Sequence, residues 1–236
     1  MHEARAHDKT EGPMTTPSRS RRDFLAQAAT LSAAASLPAS LTVHPTAEAV
    51  HLAAGDWDLS WVTQLKDASD RAVVDAIGPS DIPLQIATRY LDNCDAAYGA
   101  GRHSARLVLN FRTRAIPLAM NDAAWERFSL GEEYSVKERP DGATARRNPF
   151  LTVPAGSVRE LGAVNDLVAR KAIVLVCDFS MGHLANRLAD KAKADREETH
   201  RALRESLIPG AYLMPSGIFG MARAQNAGCA FVNGGG

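Results

Sequence analysis

The sequence predicts an α/β protein with a mostly parallel sheet of about five strands between two layers of helices. Short apolar segments alternate with helical patterns of ~10–20 residues. One of them, 172–177 (Ala-Ile-Val-Leu-Val-Cys), is a continuous apolar run typical of a central strand buried on both faces. Turn residues such as Gly78-Pro79 separate the segments.

Residues 1–49 have the pattern of a twin-arginine export signal that is cleaved after transport. Arg21 and Arg22 precede Asp-Phe-Leu and a weakly apolar stretch rich in Ala and Ser, too mild for a stable membrane span. The tripeptide Ala-Glu-Ala at 47–49 fits a cleavage site. We therefore expect a periplasmic protein, exported by the twin-arginine pathway, whose mature part is a single domain over 50–236.

The charge balance and the length of the chain indicate which partners and how many domains to expect. The chain has 27 basic and 27 acidic side chains, and the leader contains five of each, so the mature part is balanced as well. A balanced domain lacks the basic face that nucleic acids require, and we expect no nucleic-acid partner. The mature length suits one domain with a sizeable core.

The strands are apolar segments bounded by turn residues. They are predicted at 71–77, 106–111, 172–177, 212–214 and 229–232. Ligands bind beyond the carboxyl ends of parallel strands. The segments 178–183 and 215–217 are therefore expected at the binding edge of the sheet.

Helical patterns fill the spaces between the strands. They are predicted at about 83–98, 121–130, 157–168, 178–207 and 216–228. Asn121 is a favourable N-cap, and Ser157 with Glu160 forms a capping-box pattern. Either Asp178 or Ser180 is expected to cap the long charged helix. Residues 132–154 carry turn signals and are predicted to form a long ordered insertion.

Cys177 is the leading candidate for chemistry, because it ends the most buried predicted strand and precedes a helix. Backbone N–H groups at a helix start stabilise a thiolate, which is the reactive form of cysteine. The adjacent carboxylate of Asp178 opposes this effect, and His183 is a candidate thiol partner that would compensate. The alternative is that Cys177 is a small buried hydrophobic residue.

Polar residues after the third and fourth strands are candidates for ligand binding. They are Asp178, Ser180, Ser216 and Gly217. Backbone N–H groups at 215–217 would form an anion site at a helix start. An ordinary helix cap is the alternative interpretation.

The other cysteines are expected in the core. Cys94 lies on the apolar face of its helix and Cys229 lies in a short strand, although pairing of either with Cys177 stays open. The mature histidines lack His-x-His or His-x-x-x-His spacing, and no metal centre is predicted. Gly99-Ala100-Gly101 follows a helix rather than a strand, so no dinucleotide cofactor is expected, and no other cofactor is indicated.

Several segments together resemble the DsrE/DsrF-like sulfur-relay family, and in particular its exported branch with a twin-arginine leader. The resemblance covers most of 57–232. The segments are 172–177 (AIVLVC), 207–210 (LIPG), 215–219 (PSGIF), 223–229 (RAQNAGC), 147–150 (RNPF), Asn121-Asp122 and Trp125.

This resemblance implies a flavodoxin-like three-layer α/β/α fold and frequent oligomers. Some members carry sulfur as a persulfide on a cysteine in a strand-to-helix loop, and Cys177 matches that position. The expected function is to bind or relay small sulfur species through Cys177, with a second copy or another subunit as partner. The alternative is a non-catalytic ligand-binding or oligomeric assembly module with structural cysteines. Whether the protein is an enzyme stays open.

Overall fold

The computed structural model describes residues 57–101, 103–138, 142–153 and 162–235. The predicted export signal, with Arg21 and Arg22, and the predicted capping box at Ser157 lie outside these residues. The described chain contains five strands, each within one residue of its predicted bounds. They are Asp70–Ala76 (β1), Ala105–Phe111 (β2), Ile173–Cys177 (β3), Tyr212–Met214 (β4) and Ala230–Asn233 (β5).

The five strands form one parallel sheet in the order β4-β3-β2-β1-β5. Helices cover both faces, which confirms the predicted three-layer, flavodoxin-like α/β fold. The strand order differs from the 2-1-3-4-5 order of flavodoxin itself, because β1 here lies between β2 and β5. β4 and β5 are the edge strands.

Seven α-helices and two 3₁₀ helices occur in the described ranges. The α-helices are Ile82–Tyr98 (α1), Asp122–Arg127 (α2), Leu130–Tyr134 (α3), Val164–Ala169 (α4), Asp178–Ala192 (α5), Arg196–Glu205 (α6) and Gly217–Asn226 (α7). The 3₁₀ helices are Ser60–Leu65 and Ile116–Ala119. The N-cap predicted at Asn121 is confirmed, since its side chain accepts the N–H of Ala124.

The prediction of one long helix over 178–207 is wrong, because the chain forms α5 and α6 with a break between them. Lys193 has a φ of 53°, in the left-handed region that ends a helix. The side chain of Asp195 then accepts the N–H of Glu198 and begins α6. An Asp with a Glu three positions later is an N-terminal helix signal, so the sequence already contained the reason for the break.

One face of the sheet packs against α1, α4 and α5. Its core includes Val74 and Leu109 from the strands, Leu84 from α1 and Leu184 from α5. Each such side chain contributes about 1.5–3 kcal/mol when it is fully removed from water. This larger core fixes the start of α5 against the end of β3.

The opposite face packs against α7 and the 3₁₀ helix Ser60–Leu65. Val73, Val108 and Leu175 from three neighbouring strands meet Ala224 of α7 there. Because β3 is covered on both faces, its continuous apolar run is explained.

The predicted insertion is ordered around Asn148, a buried polar residue. Its Nδ2 lies 3.1, 3.2 and 2.7 Å from the carbonyl oxygens of Pro117, Leu118 and Met120. Its Oδ1 accepts the N–H of Phe150 at 2.9 Å. One side chain therefore joins the insertion to the segment that follows β2.

Candidate functional site

The carboxyl ends of β3 and β4 lie side by side. Cys177 is the register partner of Met214, and the N–H of Phe179 donates to the carbonyl oxygen of Pro215 at 3.3 Å. The four residues predicted to bind a ligand therefore collect at one edge of the sheet. They are Asp178, Ser180, Ser216 and Gly217.

The thiol of Cys177 lies at the N-cap of α5 and is only 3% exposed. Its sulfur accepts two hydrogen bonds from Ser180, one from the backbone N–H at 3.3 Å and one from the hydroxyl at 3.1 Å. Donors aimed at the sulfur stabilise the negative charge of a thiolate. The sulfur of Cys177 is thus hydrogen-bonded to Ser180, and the residue is shielded from solvent.

Ser180 also connects the thiol to the end of β2. Its hydroxyl oxygen accepts the backbone N–H of Thr113 at 2.9 Å. Thr113 has a φ of 56°, an unfavourable conformation for a β-branched residue. The strained turn after β2 and the first turn of α5 are therefore held together by one hydroxyl group.

An ion pair between a partly exposed guanidinium and a buried carboxylate lies beside this turn. Arg112 donates from Nε and Nη2 to both carboxylate oxygens of Asp75, at distances of 2.7 to 3.1 Å. These hydrogen bonds raise the pKa of Arg112, and negative charge on Cys177 raises it further.

The ion pair also positions α7. Asn110 donates from Nδ2 to Asp75 at 2.9 Å and to the carbonyl oxygen of Gly217 at 3.1 Å. A Cβ on Gly217 would lie 2.6 Å from the Cβ of Arg112, so only glycine allows this approach. Ser216 accepts the N–H of Phe219 and acts as an ordinary N-cap. Its cap role is therefore observed, while ligand binding at this turn stays a prediction.

Asp178 is directed towards α6 rather than towards the thiol. Its carboxylate accepts hydrogen bonds from Arg204 at 2.8 Å and from His200 at 2.9 Å, and it is buried. The guanidinium of Arg204 therefore compensates the charge of this carboxylate. In this structure Asp178 holds two helices together.

His183 is exposed on α5, and its ring makes a T-shaped contact with that of Phe179 at a centroid distance of 4.7 Å. The two side-chain hydrogen bonds described for the Cys177 sulfur come from Ser180, and neither comes from His183. The structure therefore brings the thiol of Cys177 together with Ser180. His183 lies at an exposed position about one helical turn after Ser180.

Cys94 and Cys229 are buried, as predicted, and all three cysteines are free thiols. Burial raises the pKa of Cys94 and raises that of Cys229 to about 11. Both thiols are therefore almost fully protonated at neutral pH. Neither is paired with Cys177 in this structure.

Large apolar side chains are exposed around the buried thiol. Phe179, in the first turn of α5, and Ile218, in the first turn of α7, are each 66% exposed. Phe219 is exposed as well. Such a cluster at the binding edge of an α/β sheet is typical of a contact surface.

Sequence reasoning missed Asp75, Asn110, Arg112 and Thr113. A signal was present, because polar residues that interrupt or follow the apolar runs of β1 and β2 lie at the carboxyl edge of a parallel sheet. What the sequence did not contain was the pairing of Asp75 with Arg112, which depends on the register between the strands.

Two further features concern the described ranges only. No group of three or more His, Cys, Asp or Glu side chains in these ranges is arranged to hold a metal ion. None of the helices described here has the length and apolar character needed to cross a membrane.

Comparison with known proteins yields little. No family model matches the chain, and no curated protein matches it either. Among solved structures, a protein of unknown function from Methanobacterium thermoautotrophicum, MTH1491, aligns with a TM-score of 0.38 and 12% sequence identity. The alignment covers 70% of this chain and 99% of that chain.

Proposed function

We propose that this protein binds or relays sulfur through the thiol of Cys177. The observation that carries the proposal is the pair of hydrogen bonds from Ser180 to the Cys177 sulfur, at the carboxyl end of β3. A thiolate is the nucleophilic form of cysteine, and donors aimed at the sulfur favour it.

The proposed reaction is a sulfur–sulfur exchange. The Cys177 thiolate attacks a sulfur atom of an inorganic polysulfide and forms a new S–S bond. An S–S bond of the polysulfide breaks, and the shortened polysulfide leaves with the electron pair. The products are a persulfide on Cys177 and a shorter polysulfide anion, so no additional oxidant or reductant is required.

The burial of Cys177 sets a condition for this reaction. At 3% exposure the sulfur does not meet a polysulfide directly, so the first turn of α5 must move for the reaction to occur. Phe179, in that turn, is largely exposed, and its backbone N–H donates to the carbonyl oxygen of Pro215. Shielding would also protect a thiol from oxidation in an oxidising compartment.

We further propose a periplasmic location and an assembly with a second copy or a partner subunit. The location rests on the twin-arginine pattern at Arg21 and Arg22. The assembly is supported by the exposed apolar side chains of Phe179 and Ile218 beside the thiol. Fractionation of cells, followed by determination of the mature N-terminus and the molar mass, tests both.

Mass spectrometry tests the sulfur chemistry. Protein purified from the periplasm is incubated with sodium polysulfide, and we expect a mass increase in multiples of about 32 Da on the Cys177 peptide. Cys177→Ser should abolish the adduct, whereas Cys229→Ser should retain it. If Cys177 stays unmodified while it reacts fully with a thiol reagent, the proposal is wrong.

The alternative is a non-catalytic ligand-binding or assembly module with structural cysteines. The specific observation in its favour is the placement of Cys177 in the apolar core beside Met181 and Val176. This alternative predicts that Cys177 reacts with alkylating reagents only when the protein unfolds. It also predicts that Cys177→Ala retains assembly and function in cells.

A further inference from the structure

A cleft lies along β4, the edge strand next to β3. Its volume is about 440 Å³, which lies in the usual range for small-molecule sites. Its walls come from the chain before the first 3₁₀ helix, from the end of α6 and from the start of β4. The lining residues are Trp57, Asp58, Arg204, Gly210, Ala211, Tyr212 and Leu213.

One aromatic residue of the cleft, Tyr212, is held in position by a hydrogen bond. The hydroxyl oxygen of Tyr212 accepts a hydrogen bond from Nε2 of Gln64 at 2.8 Å. Gln64 belongs to the 3₁₀ helix Ser60–Leu65, which directly follows Trp57 and Asp58. This bond therefore joins the strand wall of the cleft to the wall that carries Trp57.

The cleft also contains charges of opposite sign. The carboxylate of Asp58 accepts the backbone N–H of Ser60 at 2.8 Å, and hydrogen bonding to Ser60 lowers the pKa of Asp58. Arg204 donates hydrogen bonds from Nε and Nη2 to the carboxylate of Asp178, whereas its Nη1 group takes no part in that ion pair. A carboxylate and a guanidinium thus line the same cleft.

We propose that this cleft binds a small zwitterion that carries an ammonium group and a carboxylate. The ammonium would be held by Asp58 and by the aromatic faces of Trp57 and Tyr212, since aromatic rings attract organic cations. The carboxylate would be held by Arg204. A ligand with only a carboxylate would meet the unfavourable charge of Asp58, and a ligand with only an ammonium group would offer no oxygen to the Nη1 group of Arg204, which Asp178 does not bind. This inference is independent of sulfur chemistry at Cys177.

Tryptophan fluorescence measures binding at this site. Trp61 and Trp125 are fully buried, whereas Trp57 is half-buried and lines the cleft, so a ligand there changes its emission. The zwitterionic probes are glycine betaine and L-phenylalanine. Choline carries the ammonium without the carboxylate, and 3,3-dimethylbutanoate has the shape of betaine without the cation.

We expect at least one zwitterion to saturate the signal, with a Kd about 10-fold or more below those of choline and 3,3-dimethylbutanoate. Asp58→Asn should raise that Kd about 10-fold without weakening 3,3-dimethylbutanoate. Asp92→Asn, an exposed substitution on α1, is the matched control and should change neither. Arg204 is left intact because it also holds Asp178.

Three results would overturn the proposal. One is the absence of saturation by either zwitterion up to about 10 mM. Another is equal affinity for choline and for the zwitterion, which would indicate a simple cation site. The third is an Asp58→Asn variant that folds normally, as judged by its circular dichroism, and binds the zwitterion with unchanged affinity.

Discussion

The hydroxyl of Ser180 lies 3.1 Å from the sulfur of Cys177, and its oxygen also accepts the backbone N–H of Thr113 at 2.9 Å. The same side chain therefore donates a hydrogen bond to the sulfur and restrains the turn after β2. Since Thr113 is in a left-handed conformation, this restraint offsets part of a local strain of about 1–3 kcal/mol. The thiol and the turn are thus coupled through one oxygen atom.

Ser180→Ala should raise the rate at which Cys177 is alkylated at neutral pH by about 3–10-fold. The sulfur reacts only when the first turn of α5 moves, and the substitution removes a hydrogen bond of about 1 kcal/mol that ties this turn to the turn after β2. The rate is measured by mass spectrometry of iodoacetamide-treated protein. Ser216→Ala is the control, because it removes the cap of α7 but no bond to the sulfur. Equal rates in the two variants would contradict the role of Ser180.

Asp178→Asn should destabilise the fold by about 1–3 kcal/mol. The substitution leaves Arg204 and His200 without their buried anion, and the partial exposure of Arg204 moderates the cost. Urea unfolding measures the change. Asp190→Asn removes an exposed pair with Arg196 and should cost less than about 0.5 kcal/mol. A similar effect of both substitutions would show that the Asp178 cluster is merely a surface pair.

The sequence was sufficient for the layers, the five strands and the edge at which the site lies. The pattern of apolar residues in a segment such as β3 predicts its secondary structure without knowledge of tertiary contacts. Because ligands bind beyond the carboxyl ends of parallel strands, Cys177 and Ser180 were then expected at the binding edge of the sheet. The caps at Asn121 and Ser216 were equally local.

The side-chain pairs of the site could not be predicted, because they depend on contacts between residues far apart in the chain. Asp75 meets Arg112 because β1 and β2 pair in one particular register, and Asp178 meets Arg204 because α6 folds back on α5. His183 was assigned to the thiol by proximity in sequence, whereas the direction of its side chain places it against Phe179. Side-chain direction on a helix is not resolved by spacing alone.

Two helical glycines should respond to alanine with opposite signs. Gly217→Ala would bring a Cβ within 2.6 Å of the Cβ of Arg112, and we expect a loss of about 1–3 kcal/mol. Gly182→Ala would meet its nearest atom, Cε1 of His200, at 3.7 Å, and should gain up to about 1 kcal/mol from helix propensity. Urea midpoints of the two variants measure both changes. A neutral or stabilising Gly217→Ala would rule out the close packing of α7 on Arg112.

Cys229 should make the fold less stable as the pH rises from about 9 to 11. Burial raises its pKa from 9.0 to about 11, so the unfolded chain loses this proton before the folded protein does. The unfolded state then binds fewer protons, and the free energy of unfolding falls by about 1–2 kcal/mol over this range. Guanidinium unfolding at several pH values measures the slope.

The control for that slope is Cys229→Ala. This variant retains Cys94 and Tyr90, whose pKa values are also raised by burial, so the difference between the two proteins isolates Cys229. We expect the free energy of unfolding of Cys229→Ala to fall less steeply above pH 9 than that of the unsubstituted protein, whatever the change in stability at neutral pH. Parallel profiles would mean that the thiol of Cys229 is solvated in the folded protein.

Asn148 supplies the strongest test of how the insertion is attached. Its Nδ2 faces three carbonyl oxygens, those of Pro117, Leu118 and Met120, so Asn148→Ala leaves buried acceptors with fewer donors. We expect a loss of about 2–4 kcal/mol in urea unfolding. Asn148→Asp should cost more than Asn148→Ala at neutral pH, because it places a carboxylate against those oxygens without changing the shape.

The relative stability of Asn148→Ala and Asn148→Asp shows whether hydrogen bonding or packing is the main role of the Asn148 side chain. If the side chain of Asn148 mainly fills space, the isosteric aspartate is tolerated and the alanine is not. If its donors join the insertion to the segment after β2, the aspartate is the worse substitution. Asn165→Asp, an exposed change in the first turn of α4, should alter stability by less than about 0.5 kcal/mol. Because three carbonyl oxygens surround Nδ2, we expect Asn148→Asp to be less stable than Asn148→Ala.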